Sequence, residues 1–221
     1  GFKKYTLKDL EYVKAQIRTD NSKFKIAVIE DKVFPFLEEL RRHDFNITIY
    51  NDIERINLIA DYDIVVSDIK GVGKLLGSKL QGAHLIEEIH KRYPNIYLIA
   101  YSASLFNPEY NKYFELCDET KKKGIDVNDW VNTLEKAIKN SNDPIYQWEK
   151  SRKILLKNGV DIGVVSKLER VYVKSIIKKK KGLLIKELST SKSGLPDSVK
   201  IIFDSVAIFA GTLISNILKS D

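Results

Sequence analysis

Methionine is absent from this 221-residue sequence, cysteine occurs once, histidine three times and proline five times. The single Cys117 excludes an internal disulfide framework and fits a reducing, cytoplasmic setting. His43, His84 and His90 show no metal-ligand spacing with Cys117, and no Ser-His-Asp arrangement can be built on them. No N-terminal segment joins a basic region to an apolar core, so a signal-peptide pattern is missing. With glycine first and methionine absent, the start fits a processed or tagged chain, and position 1 is given no weight. The uncharged stretch Ser205–Leu218 has 14 residues. A bilayer span needs roughly 20, so no transmembrane segment is expected.

What is present is an ordinary globular composition, 43% hydrophobic and 30% charged, which argues against a disordered chain. The net charge of +7 is unevenly placed. Residues 1–22 carry +2, residues 23–144 carry −3 and residues 145–221 carry +8. A mildly acidic body beside a basic end points to two functional parts, and any anionic partner would meet the second.

The pivotal stretch is Tyr62 to Ile69, an apolar β-branched run that stops abruptly at Asp68. In an open parallel sheet, reactive groups gather at the carboxyl ends of strands. Lys25–Ile29 likewise runs into Glu30 and Asp31, and Ile96–Tyr101 into Ser102 and Ala103. Around these, Thr6 can cap a helix through Arg18. A helix through Arg42 tolerates Pro35 in its first turn. A strand over Asn46–Tyr50 and a short helix over Asp52–Ile59 precede the pivotal strand, Asp63–Ser67. A helix follows over Ala83–Arg92, ended by Pro94. Next come the strand Ile96–Tyr101, a helix over Pro108–Leu116, a weak strand near Asp118–Lys122 and a helix over Asn128–Asn140. Five strands alternating with five helices imply an α/β fold with a flavodoxin-like, doubly wound five-stranded parallel sheet. Ser141 to Pro144 reads as a linker or sharp turn. Beyond it the pattern is all α: helices over Ile145–Lys157 and Ile162–Lys181, a loop over Ser189–Pro196 and a last helix over Asp197–Lys219. The expected parts are a leader (1–22), a five-stranded α/β domain (23–140) and a helical effector or dimerisation region (145–221).

Residues 23–140 resemble the response-regulator receiver domain (CheY-like family). The resemblance rests on Glu30-Asp31 after strand one, Asp68 at strand three, Ser102-Ala103 at strand four and Lys123 after strand five. It implies that Glu30, Asp31, Asp68 and the Lys70 backbone carbonyl hold Mg²⁺, and that Asp68 accepts a phosphoryl group. Ser102 and Lys123 would then stabilise that group. The implied partner is a histidine kinase or phosphotransfer protein, with no enzyme activity beyond self-phosphorylation and dephosphorylation. The residue chemistry agrees: converging carboxylates repel unless a divalent cation neutralises them, and hard oxygen ligands suit Mg²⁺.

Four departures stand against the family pattern. The Met-Pro pair after the phosphoacceptor is absent, and about six extra residues precede the matching glycine, Gly82. Gly124 replaces the usual proline after the lysine, and Thr120 stands where an aromatic switch residue is expected. Lys121 and Lys122 also compete with Lys123 for its register. The loop Gly71–Gly82 does not fit a phosphate-binding GxxxxGK[ST] motif and reads as a lid beside the acidic pocket. Trp130 and Trp148 read as core anchors. The last helix is expected to self-associate as a dimer through Ile201, Phe203, Ile208, Phe209 and Leu213, the alternative being that this face docks on the helices of residues 23–140. Two other readings remain: a phosphorylation-independent pseudo-receiver serving as an interaction platform, and a nucleic-acid effector through Lys178–Lys181, for which no motif is present.

Overall fold

Residue 68 lies at the end of a strand buried along its whole length, and four parallel neighbours complete the sheet around it. The computed structural model describes residues 4–220. The strands are β1 (Lys25–Ile29), β2 (Asn46–Tyr50), β3 (Ile64–Asp68), β4 (Tyr97–Ser102) and β5 (Glu119–Lys122), in the order β2-β1-β3-β4-β5. Every pairing is parallel. This is the flavodoxin-like order, in which the chain reverses direction of travel across the sheet between β1 and β3.

The helices of this unit are α2 (Leu37–Arg42), α3 (Gly82–Arg92), α4 (Asn111–Phe114) and α5 (Val127–Ser141). Ala27, Ile29, Val65, Leu98 and Ala100 pack with Leu85, Ile86 and Ile89 of α3 and Tyr113 of α4 in one core. Helices α2 and α5 pack against each other, and α5 reaches β3 and β4. Parallel pairing places all carboxyl ends on one edge, with Ile29 beside Ser67, Asp68 beside Tyr101, and Ser102 beside Lys122.

Several expected elements are shorter. Pro35 precedes α2 instead of opening it, because Phe36 takes φ +62° and holds the chain outside the helix until Leu37. The helix expected over 52–59 is a 3-10 turn at Ile56–Ile59, and α4 is a single turn.

The chain divides into two compact units, residues 19–141 and residues 1–18 with 142–221. The second is helical, comprising α1 (Leu10–Gln16), α6 (Pro144–Lys157), α7 (Ile162–Ile177), α8 (Lys181–Ser191) and α9 (Asp197–Ser220). Among the described residues of the stretch 1–22, residues 4–18 belong to this helical unit and residues 19–22 to the other. Leu10 of α1 is fully buried in the core built on Trp148, Tyr172 and Phe203. Lys14 pairs with Asp143 at 2.8 Å, while Asp143 caps α6 through the N–H groups of Ile145 and Tyr146.

Helix α8 is not expected from the sequence, whose pattern continues one helix from Ile162 to Lys181. Lys179 sits at φ +53°, and the N–H groups of Lys180 and Lys179 bond back to the carbonyls of Ser175 and Ile176. That is a Schellman ending built without glycine.

The self-association face also needs correction. Phe203 and Leu213 are buried in the unit's own core and Phe209 packs against it, which leaves Ile201 half-buried and Ile208 exposed at 66%. The expectation allowed two or three helices to cover α9, whereas the unit supplies five, α9 included. By length and composition, α9 is the one described helix apolar enough to cross a membrane. Its Val199, Ile202, Phe203, Val206, Ala210, Leu213 and Ile214 line a single face in the core of this unit.

Candidate functional site

Strands β1, β3, β4 and β5 deliver the pocket groups to the common edge. Glu30 directly follows β1, and its N–H extends the ladder to the Tyr50 carbonyl at 3.0 Å. Its side chain is almost fully buried, while Asp31 is exposed. Asp68 closes β3 and is buried as well. One carboxylate oxygen from each of Glu30, Asp31 and Asp68 lies within 4.8 Å of the others.

The ladder places the three adjacent lysines differently. Ser102 pairs with Lys122, and the Lys123 N–H donates to the Ser102 carbonyl at 2.8 Å. Lys123 is thereby carried one step past the strand end. Its Nζ donates to Glu30 Oε2 and Asp68 Oδ2, both at 2.7 Å. Lys121 pairs instead with Glu119 at 3.1 Å.

The electrostatics follow from burial. Desolvation pushes the Glu30 pKa above its ordinary value, against the lowering effect of the bonds from Lys123 and the Lys32 N–H. Burial alone would pull Lys123 down, but its bonds to Asp68 and Glu30 outweigh that and leave it raised and charged. The ammonium also lies 4.9 Å from the centre of the Tyr101 ring, which packs edge-on to Phe34 and Trp130.

The remaining expected residues are placed differently. Ser102 is buried at the end of β4, and its hydroxyl donates to the Ser104 carbonyl at 2.9 Å instead of to a pocket group. The Lys70 N–H donates to Asp68 Oδ1 at 3.1 Å, fixing the rotation of that carboxylate. A Cβ on Gly71 would come within 2.6 Å of both Asp31 oxygens, and its φ is +85°. Only glycine lets the chain leave the pocket there.

Sequence reasoning missed Asp52, Gln81 and Tyr101. Asp52 carried a usable signal, since it lies just past strand two as Glu30 and Asp31 lie just past strand one. Apart from the pocket, a cleft of about 450 Å³ is lined by Arg55, Ile56, Asn57, Leu76, His84, Glu88 and Arg92. None of these was expected to act.

Three carboxylate oxygens this close form a hard donor set that fits a divalent cation, with Lys123 supplying the positive charge in the geometry described.

No protein-family model and no curated protein matches the chain. Among solved structures, it is similar to a CheY-like response regulator receiver domain protein from Methanospirillum hungatei. That pair shares 15% identity over 53% of this chain and 95% of the other, with a TM-score of 0.44. It is also similar to the response regulator TrrA from Thermotoga maritima, solved in complex with Mg²⁺-BeF. There the identity is 19% over 52% of this chain and 98% of that one, with a TM-score of 0.40. A third is NtrX from Brucella abortus, in complex with ATP, at 19% identity over 69% of this chain and 34% of NtrX, with a TM-score of 0.44. The fold itself rests on the strand order and parallel pairing described above.

Proposed function

We propose that residues 19–141 act as a receiver in two-component signalling, with Asp68 as phosphoacceptor. The supporting observation is that Glu30, Asp31 and Asp68 converge at the carboxyl edge of the sheet while Lys123 bonds to two of them. An Asp68 carboxylate oxygen would attack the phosphorus of a phosphohistidine on a kinase or phosphotransfer protein. The oxygen–phosphorus bond forms as the phosphorus–nitrogen bond breaks, and the imidazole departs with a proton from solvent. Bound at Glu30, Asp31, Asp68 and the Lys70 carbonyl, Mg²⁺ would neutralise charge on the transferring group.

In this reading Lys123 holds Asp68 ionised and oriented before transfer, then follows the added charge. The Ser102 hydroxyl would exchange its Ser104 partner for a phosphoryl oxygen. Water attack on phosphorus later restores the carboxylate and releases inorganic phosphate. Output would pass through helices α6–α9, in the cytoplasm.

One observation favours a second reading. Lys123 and the N–H groups of Lys32 and Lys70 already satisfy the buried Glu30 and Asp68, so the pocket is compatible with an interaction module that needs neither metal nor phosphate. Beryllofluoride with Mg²⁺ separates the two, since it mimics an acyl phosphate. The receiver reading expects a bound-fluoride NMR signal that Asp68→Asn abolishes. A wild-type chain that shows no such signal at saturating Mg²⁺ supports the interaction module.

A further inference from the structure

The inserted loop between β3 and α3 is tied down by two side chains to which the receiver reading gives no role. Asp52, just past β2, accepts the Gly73 N–H at 2.6 Å on Oδ1 and the Leu75 N–H at 3.1 Å on Oδ2. Its Oδ1 also takes the N–H of Ile53 at 2.8 Å. Gln81 Oε1 accepts the Gly71 N–H at 2.9 Å. The carboxylate bonds are charge-assisted and correspondingly strong. Gln81 meanwhile holds φ +53° and ψ −124°, a backbone region that side-chain-bearing residues rarely occupy.

Both feet of the loop abut pocket residues, one at the Asp31 carboxylate and the other at the Asp68 backbone. Gly71 passes against the Asp31 side chain, and a Cβ on Gly82 would lie 2.2 Å from the Asp68 carbonyl oxygen. Between them stands the Lys70–Gly71 peptide, the only backbone group the receiver resemblance assigns to the metal. A loop about six residues longer than the family pattern has more freedom to lose, and the two side-chain anchors remove that freedom at its first residues.

We propose that Asp52 and Gln81 are positioning residues of the divalent-cation pocket. They hold the Lys70–Gly71 peptide in place against Asp31 and Asp68 and so set the affinity for the cation. The proposal rests on the metal reading of Glu30, Asp31 and Asp68. The strain at Gln81 fits it: the backbone is kept in an unfavourable conformation so that the side chain can reach the Gly71 N–H.

The test is Mg²⁺ titration of the full chain by calorimetry, with thermal unfolding of each variant in metal-free buffer. Asp52→Ala and Gln81→Gly should each weaken Mg²⁺ binding about tenfold, as losing a group that orients a metal ligand does. Asp52→Asn keeps an acceptor oxygen and should recover part of the loss. Gln81→Gly relieves the backbone, so it should keep or raise the Tm while losing affinity, a split that a merely structural residue would not give. It also keeps the proposal testable if Asp52→Ala fails to fold. Unchanged affinity in Gln81→Gly and Asp52→Ala, with binding lost in Asp31→Ala, overturns the positioning proposal and leaves the metal reading standing. An Asp52→Asn variant as weak as Asp52→Ala, with the deficit erased by salt, overturns it too by assigning Asp52 a through-space charge effect. If the wild-type chain binds no Mg²⁺, the metal reading falls and this proposal falls with it.

Discussion

Glu30 shows how a single buried carboxylate sets the conditions for the whole pocket. Desolvation raises its pKa above the ordinary 4.5, and the bonds from Lys123 and Lys32 only partly offset this. A folded pKa above the unfolded one means the group favours the fold when protonated. That contribution is full below the unfolded pKa and is lost as pH rises through the folded value. Cation binding has the opposite requirement, because a metal needs the carboxylate ionised. Mg²⁺ affinity should therefore begin to fall, on acidification, at a pH above the ordinary carboxylate range. Calorimetry from neutral pH downward checks this, and affinity that holds until an ordinary glutamate would titrate contradicts it. The same residues show what was legible in the sequence. Glu30, Asp31, Asp68 and Ser102 each follow an apolar run and Lys123 follows the weak, polar strand β5, so their shared edge could be read from the order of the strands. Asp52 and Gln81 act on backbone N–H groups, and Tyr101 through its ring. The place of Asp52 just past strand two was readable, but its contact with Gly73, 21 residues away, was not.

At the scale of elements, the strands were readable because burial on both faces demands continuous apolar runs, as in β3 and β4. Helix α8 was not, because its predecessor ends on a lysine in the left-handed region instead of on a glycine, inside a run of four lysines. Helix α9 was located correctly, but its apolar face was assigned to a partner when its own unit covers most of it. Two substitutions on this helix should therefore behave oppositely. Phe203→Ala removes a fully buried ring and should cost about 3–5 kcal/mol. Ile208→Ala removes an exposed side chain and should stay within about 0.5 kcal/mol. Urea unfolding of both variants measures the difference. Equal destabilisation would mean that the exposed face of α9 is covered in solution after all.

For the whole molecule, the consequence of the division into residues 19–141 and the helical remainder is that every pocket group comes from one unit. A fragment spanning residues 19–141 should fold cooperatively and bind Mg²⁺ within about twofold of the full chain. Loss of binding in a folded fragment would show that the helical unit completes the site. The basic charge of residues 145–221 makes a second whole-chain measurement worthwhile. Affinity for nucleic acid that falls steeply with salt and vanishes in the fragment would assign the helical unit that role. The central claim, that Asp68 accepts a phosphoryl group, is tested most directly by incubating the full chain with acetyl phosphate and Mg²⁺ and recording its intact mass. The account predicts one added phosphoryl group, dependent on Mg²⁺ and lost in Asp68→Ala. No adduct under any metal condition, or an adduct that persists in Asp68→Ala, would contradict it.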